Sequence, residues 1–307
     1  MLIILFYVII MLCLIAGNKT VISGASYGLM LWYNNVLPLL MPFMLVSGLI
    51  VARIKALPKK LQKKYAVIIT LFTGLLCGYP LGAKNANDFI MNSSYDKSTG
   101  QLLLALVNNC SPMFLLGYII SNILQDKISF YFALFVIYIP YVILIFLKIL
   151  SQKIYSKYKK AIINSDTKDL VSHNSSKNTS NKDFIMSTII QITYVGFYIM
   201  ICSIISEYIL HLDMIPENIR IFMASLTEIT KGAHLIADNY MAIGTITEKA
   251  RAIAIILGLT SFGGISAILQ TGNVIKDSGM SIWRYIIEKT VCGISTYGLV
   301  MLLSNYL

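Results

Sequence analysis

Gly78-Tyr79-Pro80-Leu81-Gly82-Ala83-Lys84 interrupts an apolar run that extends from Tyr65 to Ile90. Proline removes an amide donor and the glycines permit a reversal, so the run reads as a re-entrant hairpin rather than one continuous helix. Gly82-Ala83-Lys84, followed by Asp88 and then Ser111, recurs 150 residues later as Gly232-Ala233-His234, Asp238 and Ser261. The equal steps fall on equivalent features of the hydropathy profile and predict an internal duplication.

The composition around this stretch sets the class. With 57% hydrophobic and 13% charged residues, the chain can satisfy its backbone polar groups only as membrane helices. A membrane barrel would alternate apolar and polar residues, and Ile128 to Leu150 does not. The expected fold is an all-α polytopic membrane protein. Its formal charge of +11 comes from lysines gathered in short loops beside apolar spans, which are topology signals and not a nucleic-acid surface. Cys13, Cys77, Cys110, Cys202 and Cys292 lie inside apolar stretches without CxxC spacing and read as packing residues. Leu2 to Ala16 lacks a basic flank and a small-x-small cleavage site, so a retained first span is expected.

Ser151 to Asp183 is rich in Lys, Ser, Asn and Asp and reads as a hydrophilic linker. The expected organisation is therefore 1–150, an N-terminal span plus a first repeat; 151–183, a cytoplasmic linker; and 184–307, a second repeat. Arg53 to Lys64 and the linker carry the dense positive charge, which places both in the cytoplasm. Three apolar stretches lie between them, Tyr65 to Ile90, Gln101 to Leu124 and Ile128 to Leu150, yet an even number of crossings is required. The first is therefore the hairpin. In the second half Phe184 to Leu210, Ala252 to Gln270 and Ile282 to Leu303 cross and Ile221 to Tyr240 is the hairpin, entering from the opposite side. That is an inverted-topology pair, the symmetry secondary transporters use. A rival count makes both hairpins full spans.

Polar interruptions at membrane depth mark the candidate site. Asn108-Asn109-Cys110-Ser111-Pro112 breaks one helix and Thr260-Ser261-Phe262-Gly263-Gly264 breaks its counterpart. A broken helix frees amides at one half and carbonyls at the other, which together bind a polar solute; the alternative is a kink made for packing. The candidate solute-binding residues are Asn108, Asn109, Ser111, Glu228, Ser261, Gly263, Gly264 and Ser266. Gly78, Pro80, Gly82, Lys84, Lys231 and Gly232 are the hairpin and gating candidates, with tips at Gly82 and Gly232. Lys84 and Asp88, four apart, can close an ion pair, and Glu228 and Lys231, three apart, can meet on one helix face. Glu228, an acid at depth, is the leading candidate for solute or ion contact. His234 has no second ligand at metal spacing, so no metal and no cofactor are expected.

Leu37-Pro38-Leu39-Leu40-Met41-Pro42-Phe43, the Gly78 to Lys84 segment, Asn108 to Pro112, Leu226-Thr227-Glu228-Ile229-Thr230-Lys231-Gly232 and Ser261-Phe262-Gly263-Gly264-Ile265-Ser266 resemble, in order, the YlbJ-type sporulation integral membrane proteins. The resemblance implies the nucleoside-recognition, or Gate, domain also found in concentrative nucleoside transporters and ferrous-iron transport proteins. It further implies a role in endospore formation in a Gram-positive bacterium, with no assigned substrate. The expected function is transport of a small polar solute, with a membrane scaffold for spore cortex or coat assembly as the alternative. Expected partners are the bilayer, that solute and other sporulation membrane proteins. No catalytic residues are expected, because no nucleophile–base arrangement or phosphate loop is present.

Overall fold

A computed structural model describes residues 15–162, 181–240 and 245–304, together with Ile4 and Met11. Most of the Leu2 to Ala16 span and of the linker, including 163–180, lies outside the described residues. All regular structure among the described residues is helical. In the first half, α1 (Asn18–Leu31) passes through a π-helical turn (Trp32–Val36) into α2 (Leu37–Lys55), followed by α3 (Lys59–Cys77), α4 (Leu81–Met91) and α5 (Lys97–Val107). Next come α6 (Pro112–Phe114), continuing as a π-helical stretch over Leu115–Ile123, and α7 (Phe130–Ile162). In the second half come α8 (Asn181–Leu210), α9 (Glu217–Thr227), α10 (Ile229–Tyr240), α11 (Ile246–Phe262), α12 (Gly264–Ile275) and α13 (Ile282–Leu302).

Five of these segments are long and apolar enough to cross a membrane: Asn18–Lys55, Lys97–Ile123, Phe130–Ser151, Met186–Leu210 and Ile246–Ser278. Their outward faces expose Phe135, Phe146, Phe197 and Leu269, an apolar surface suited to lipid. The sequence-predicted span Ile282 to Leu303 forms a helix but is not among the five, since its first turns carry Arg284, Glu288 and Lys289.

Two kinds of contact hold the bundle. The first is close backbone approach at small residues, as expected where lipid offers no hydrophobic drive. A Cβ on Gly24 would lie 2.7 Å from the Ile204 backbone and one on Gly28 2.8 Å from Met200, so these glycines let α1 press against α8. Gly258 and Gly293 do the same for α11 and α13. The second is a shared core. Leu115, Ile119 and Ile137 pack with Ile256 and Leu257, and Leu104 and Tyr141 pack with Tyr285 and Cys292. Both clusters draw residues from either side of the linker. Cys77 is half-buried, Cys110, Cys202 and Cys292 are buried, and all four are free thiols, as packing residues would be.

The π-helical turn at Trp32–Val36 has a local cause. Pro38 has no N–H for the carbonyl four residues back, the turn widens, and the Leu37 N–H goes instead to Trp32. The widening turns Asn35 toward the interior described next.

Candidate functional site

Four helix interruptions come together inside the bundle, at Gly78-Tyr79-Pro80, Asn108 to Ser111, Glu228 and Gly263. Gly78 leaves α3 with φ 73° and ψ −158°, a conformation that favours glycine, and the Tyr79–Pro80 bond is cis. The tip docks on the second interruption. A Cβ on Gly78 would lie 2.5 Å from the Asn109 carbonyl oxygen, the Tyr79 N–H donates to that oxygen at 2.9 Å, and the Ala83 N–H donates to Asn108 Oδ1 at 3.2 Å. The amides freed at the start of α4 are thus answered by the break between α5 and α6.

Asn108 uses its whole side chain for structure. Besides accepting from Ala83, its amide donates to Thr271 Oγ1 at 2.7 Å and to the Tyr285 hydroxyl at 2.9 Å. Asn109 Oδ1 accepts from the Cys110 N–H at 2.9 Å and from Lys289 Nζ at 3.2 Å, leaving its own Nδ2 buried without a partner. Ser111 Oγ caps α6 by accepting from the Phe114 N–H at 3.1 Å, with Pro112 at the first helical position.

In the second half Glu228 is extended, with φ −139° and ψ 115°, and caps α10: Oε2 accepts from the Lys231 N–H at 2.8 Å and Oε1 from the Thr230 hydroxyl at 2.9 Å. Gly263, at φ 92°, separates α11 from α12, and Gly264 follows at φ 75°. No side chain caps α12. Ser261 faces away from the break toward Tyr141, whose hydroxyl donates to the Ser261 carbonyl at 2.6 Å. Gln270 Nε2 donates to Ser266 Oγ at 3.0 Å, and Gln270 Oε1 is buried without a donor.

All four interruptions border one cavity of about 60 Å³, lined by Asn35, Tyr79, Cys110, Ser111, Glu228, Thr230, Gly263, Ser266 and Gln270 with apolar neighbours including Leu40, Phe114 and Val195. Of the sequence-predicted solute-binding residues, Ser111, Glu228, Gly263 and Ser266 line it. Asn108, Asn109, Ser261 and Gly264 stand behind the wall. A larger hollow of about 500 Å³, lined by Phe222, Phe262, Ile294 and Tyr297, is almost wholly apolar, and another of about 360 Å³ holds Asn218, Tyr240, Glu248 and Arg251 but none of the four interruptions.

Two details differ from the sequence expectation. The tips are at Gly78-Tyr79-Pro80 and Glu228, while Gly82 and Gly232 lie in the first turns of the helices that follow. Their missing side chains serve close packing, of Gly82 on the Val107 carbonyl and of Gly232 on the Ser225 backbone. Glu228 meets Lys231 through its backbone amide; the Lys231 ammonium instead pairs with Glu207 on α8 and lies 5.4 Å from the Tyr27 ring. The Lys84–Asp88 pair closes at 3.5 Å, joined by Lys55 at 3.8 Å, in a half-buried cluster away from the cavity. His234 pairs with Asp238 at 2.7 Å on an exposed face.

Sequence reasoning missed Asn35, Gln270 and Lys289. Gln270 sits four residues after Ser266, one turn further along the same helix face, which was a readable signal. Among the described residues no cluster of His, Cys, Asp or Glu could hold a metal ion. Comparison of the chain with protein-family models, with curated proteins and with solved structures finds no match.

Proposed function

We propose that this membrane protein is transporter-like and moves a small polar solute through the cavity where its broken helices meet. The observation that carries the reading is that interruptions from both halves of the chain, Tyr79 and Ser111 from one and Glu228 and Gly263 from the other, line a single cavity that holds polar side chains among apolar ones. A scaffold would pack such breaks dry, because freed backbone groups and a buried acid in a closed core are costly without a purpose. The halves are inverted-topology repeats in this account. The interruption at Gly78 has its counterpart 150 residues on at Glu228, and the one ending at Pro112 has its counterpart at Gly263, in support of that symmetry. The resemblance to YlbJ-type proteins adds endospore formation as the setting, in the cell membrane, with the linker in the cytoplasm.

Complementation of a strain lacking the protein tests both parts. The Glu228→Gln variant, which keeps the shape and one acceptor oxygen of the cap, is expected at near-normal abundance in the membrane while spore formation falls at least tenfold. Normal spore counts with abundant protein would contradict the proposal, and loss of the protein itself would make Glu228 a folding residue.

A further inference from the structure

The two larger hollows are parts of one groove on the outside of the bundle. Asn218, Glu248 and Arg251 line its polar mouth, and Leu226, Phe262, Ile294 and Tyr297 line the apolar slot below. Phe222 and Ile255 line both, so the mouth opens directly into the slot. Arg251 and Ile255 are four apart on α11 and share a helix face.

The mouth carries polar groups that the fold leaves unused. The Thr245 N–H and hydroxyl both donate to Glu248 Oε2, at 2.7 Å and 2.9 Å, and Oε1 accepts from no group among the described residues. The Tyr240 hydroxyl donates to Asn218 Oδ1 at 2.8 Å, which leaves Asn218 Nδ2 without an acceptor among them. The Arg251 guanidinium has no carboxylate within 4.0 Å among them, and Glu248, three residues back, acts on it only at longer range.

The slot has the length of one leaflet. Arg251 and Phe262 are eleven residues apart on α11, a rise of about 16 Å at ~1.5 Å per residue, against about 15 Å for half of a ~30 Å hydrocarbon core. Arg251 lies near the start of the membrane-length segment Ile246–Ser278, where a headgroup would be met. Phe222 and Ile294 are exposed on the flanks, and Gly258 and Gly293, which line the slot, add no side chain to fill it.

We propose that this groove binds a glycerophospholipid with an ethanolamine headgroup, one acyl chain lying in the slot, the phosphate on Arg251 and Asn218 Nδ2, and the ammonium on Glu248 Oε1. A guanidinium matches a phosphate with two parallel hydrogen bonds. Glu248 and Arg251, three apart on one helix, stand about 5–6 Å apart at Cβ, a spacing that a two-carbon link between phosphate and ammonium bridges. A headgroup with a bare anion would meet the Glu248 carboxylate unfavourably, and a free phosphate would leave the slot unfilled. Leu226 and Phe262 line the slot while Glu228 and Gly263, a residue or two further on, line the central cavity, so the bound chain braces the outer side of that wall.

The test uses the full chain, purified in detergent and stripped of lipid, with native mass spectrometry and thermal unfolding. The probes are dioleoyl phosphatidylethanolamine, the matching phosphatidylglycerol and diacylglycerol, and phosphoethanolamine without chains. The ethanolamine lipid is expected to be retained and to raise Tm, with phosphatidylglycerol at least fivefold weaker and the other two at least tenfold weaker. Arg251→Gln, at an exposed position, should weaken it at least tenfold. Thr290→Phe, which fills the slot from the exposed face of α13, should do the same, and Arg284→Gln, at the far end of α13, should change nothing. Equal retention of all three chain-bearing probes, insensitive to Arg251, would reduce the groove to ordinary bilayer contact and overturn the proposal. Phosphoethanolamine binding as tightly as the lipid would overturn the lipid assignment. A dimer that excludes lipid and is dissociated by Thr290→Phe would give the groove to a second copy of the chain and overturn it as well.

Discussion

The side-chain amide of Asn108 reaches the Tyr285 hydroxyl at 2.9 Å, across 177 residues of chain, and the same hydroxyl returns a bond to the Asn108 carbonyl at 3.2 Å. This reciprocal pair ties the first broken helix to α13, and with Thr271 and Ala83 it fixes the wall of the cavity. Asn108→Ala would strand several buried groups, each worth about 1–3 kcal/mol when left unpaired. Chemical unfolding in detergent is expected to show a loss of that order or more. A variant as stable as the parent would mean that the network contributes nothing.

Glycine positions divide sharply by what surrounds them. At Gly82 a Cβ would run into the Val107 carbonyl, whereas at Gly298 nothing lies within 4 Å. Gly82→Ala should therefore separate the hairpin tip from the break and lower Tm clearly. Gly298→Ala, in the interior of α13, should be neutral or stabilise by up to ~1 kcal/mol through helix propensity. Equal effects at the two sites would argue against the docked tip.

The Glu207–Lys231 pair ties α8 to the start of α10 and is largely enclosed. Removing only the acid with Glu207→Gln leaves a buried ammonium and should cost about 3–5 kcal/mol. The double variant Glu207→Gln with Lys231→Met should recover most of it. By contrast Asp88→Asn, in the half-buried Lys55–Lys84 cluster, should change stability by under ~1 kcal/mol. A double-mutant cycle on each pair reads these terms directly.

Much of the site was legible because Gly and Pro announce interruptions: the breaks at Gly78-Tyr79-Pro80, before Pro112 and at Gly263 all fall where the sequence puts them. The break at Glu228 was not, since Thr227-Glu228-Ile229 holds no Gly or Pro. There a carboxylate substitutes for the missing turn by accepting the Lys231 amide and the Thr230 hydroxyl, a tertiary choice that local propensity does not encode. Gly232 drew attention as a tip because glycine serves close approach as readily as it serves a turn. Lys289 was invisible for another reason: a lysine near a helix start normally reaches the interface, and only the packing of Tyr141 and Asn109 around it shows that it is enclosed.

The proposed inverted arrangement makes a topological prediction. Single cysteines at Lys59 and at Ser175, in intact cells and in inverted vesicles, should both react with an impermeant thiol reagent from the cytoplasmic face. Labelling from opposite faces would break the inverted-repeat scheme.

The central claim is that the cavity between the breaks is a solute path that opens to each side in turn, and Ser266 tests it most directly, since it lines the cavity and is buried. In a variant with Cys13, Cys77, Cys110, Cys202 and Cys292 replaced by alanine, Ser266→Cys is presented to a small hydrophilic thiol reagent in right-side-out and in inverted vesicles. The account predicts reaction from both faces, slowed by a solute that binds. A folded protein whose Ser266→Cys thiol reacts from neither face, or from one face only under every condition, would contradict it.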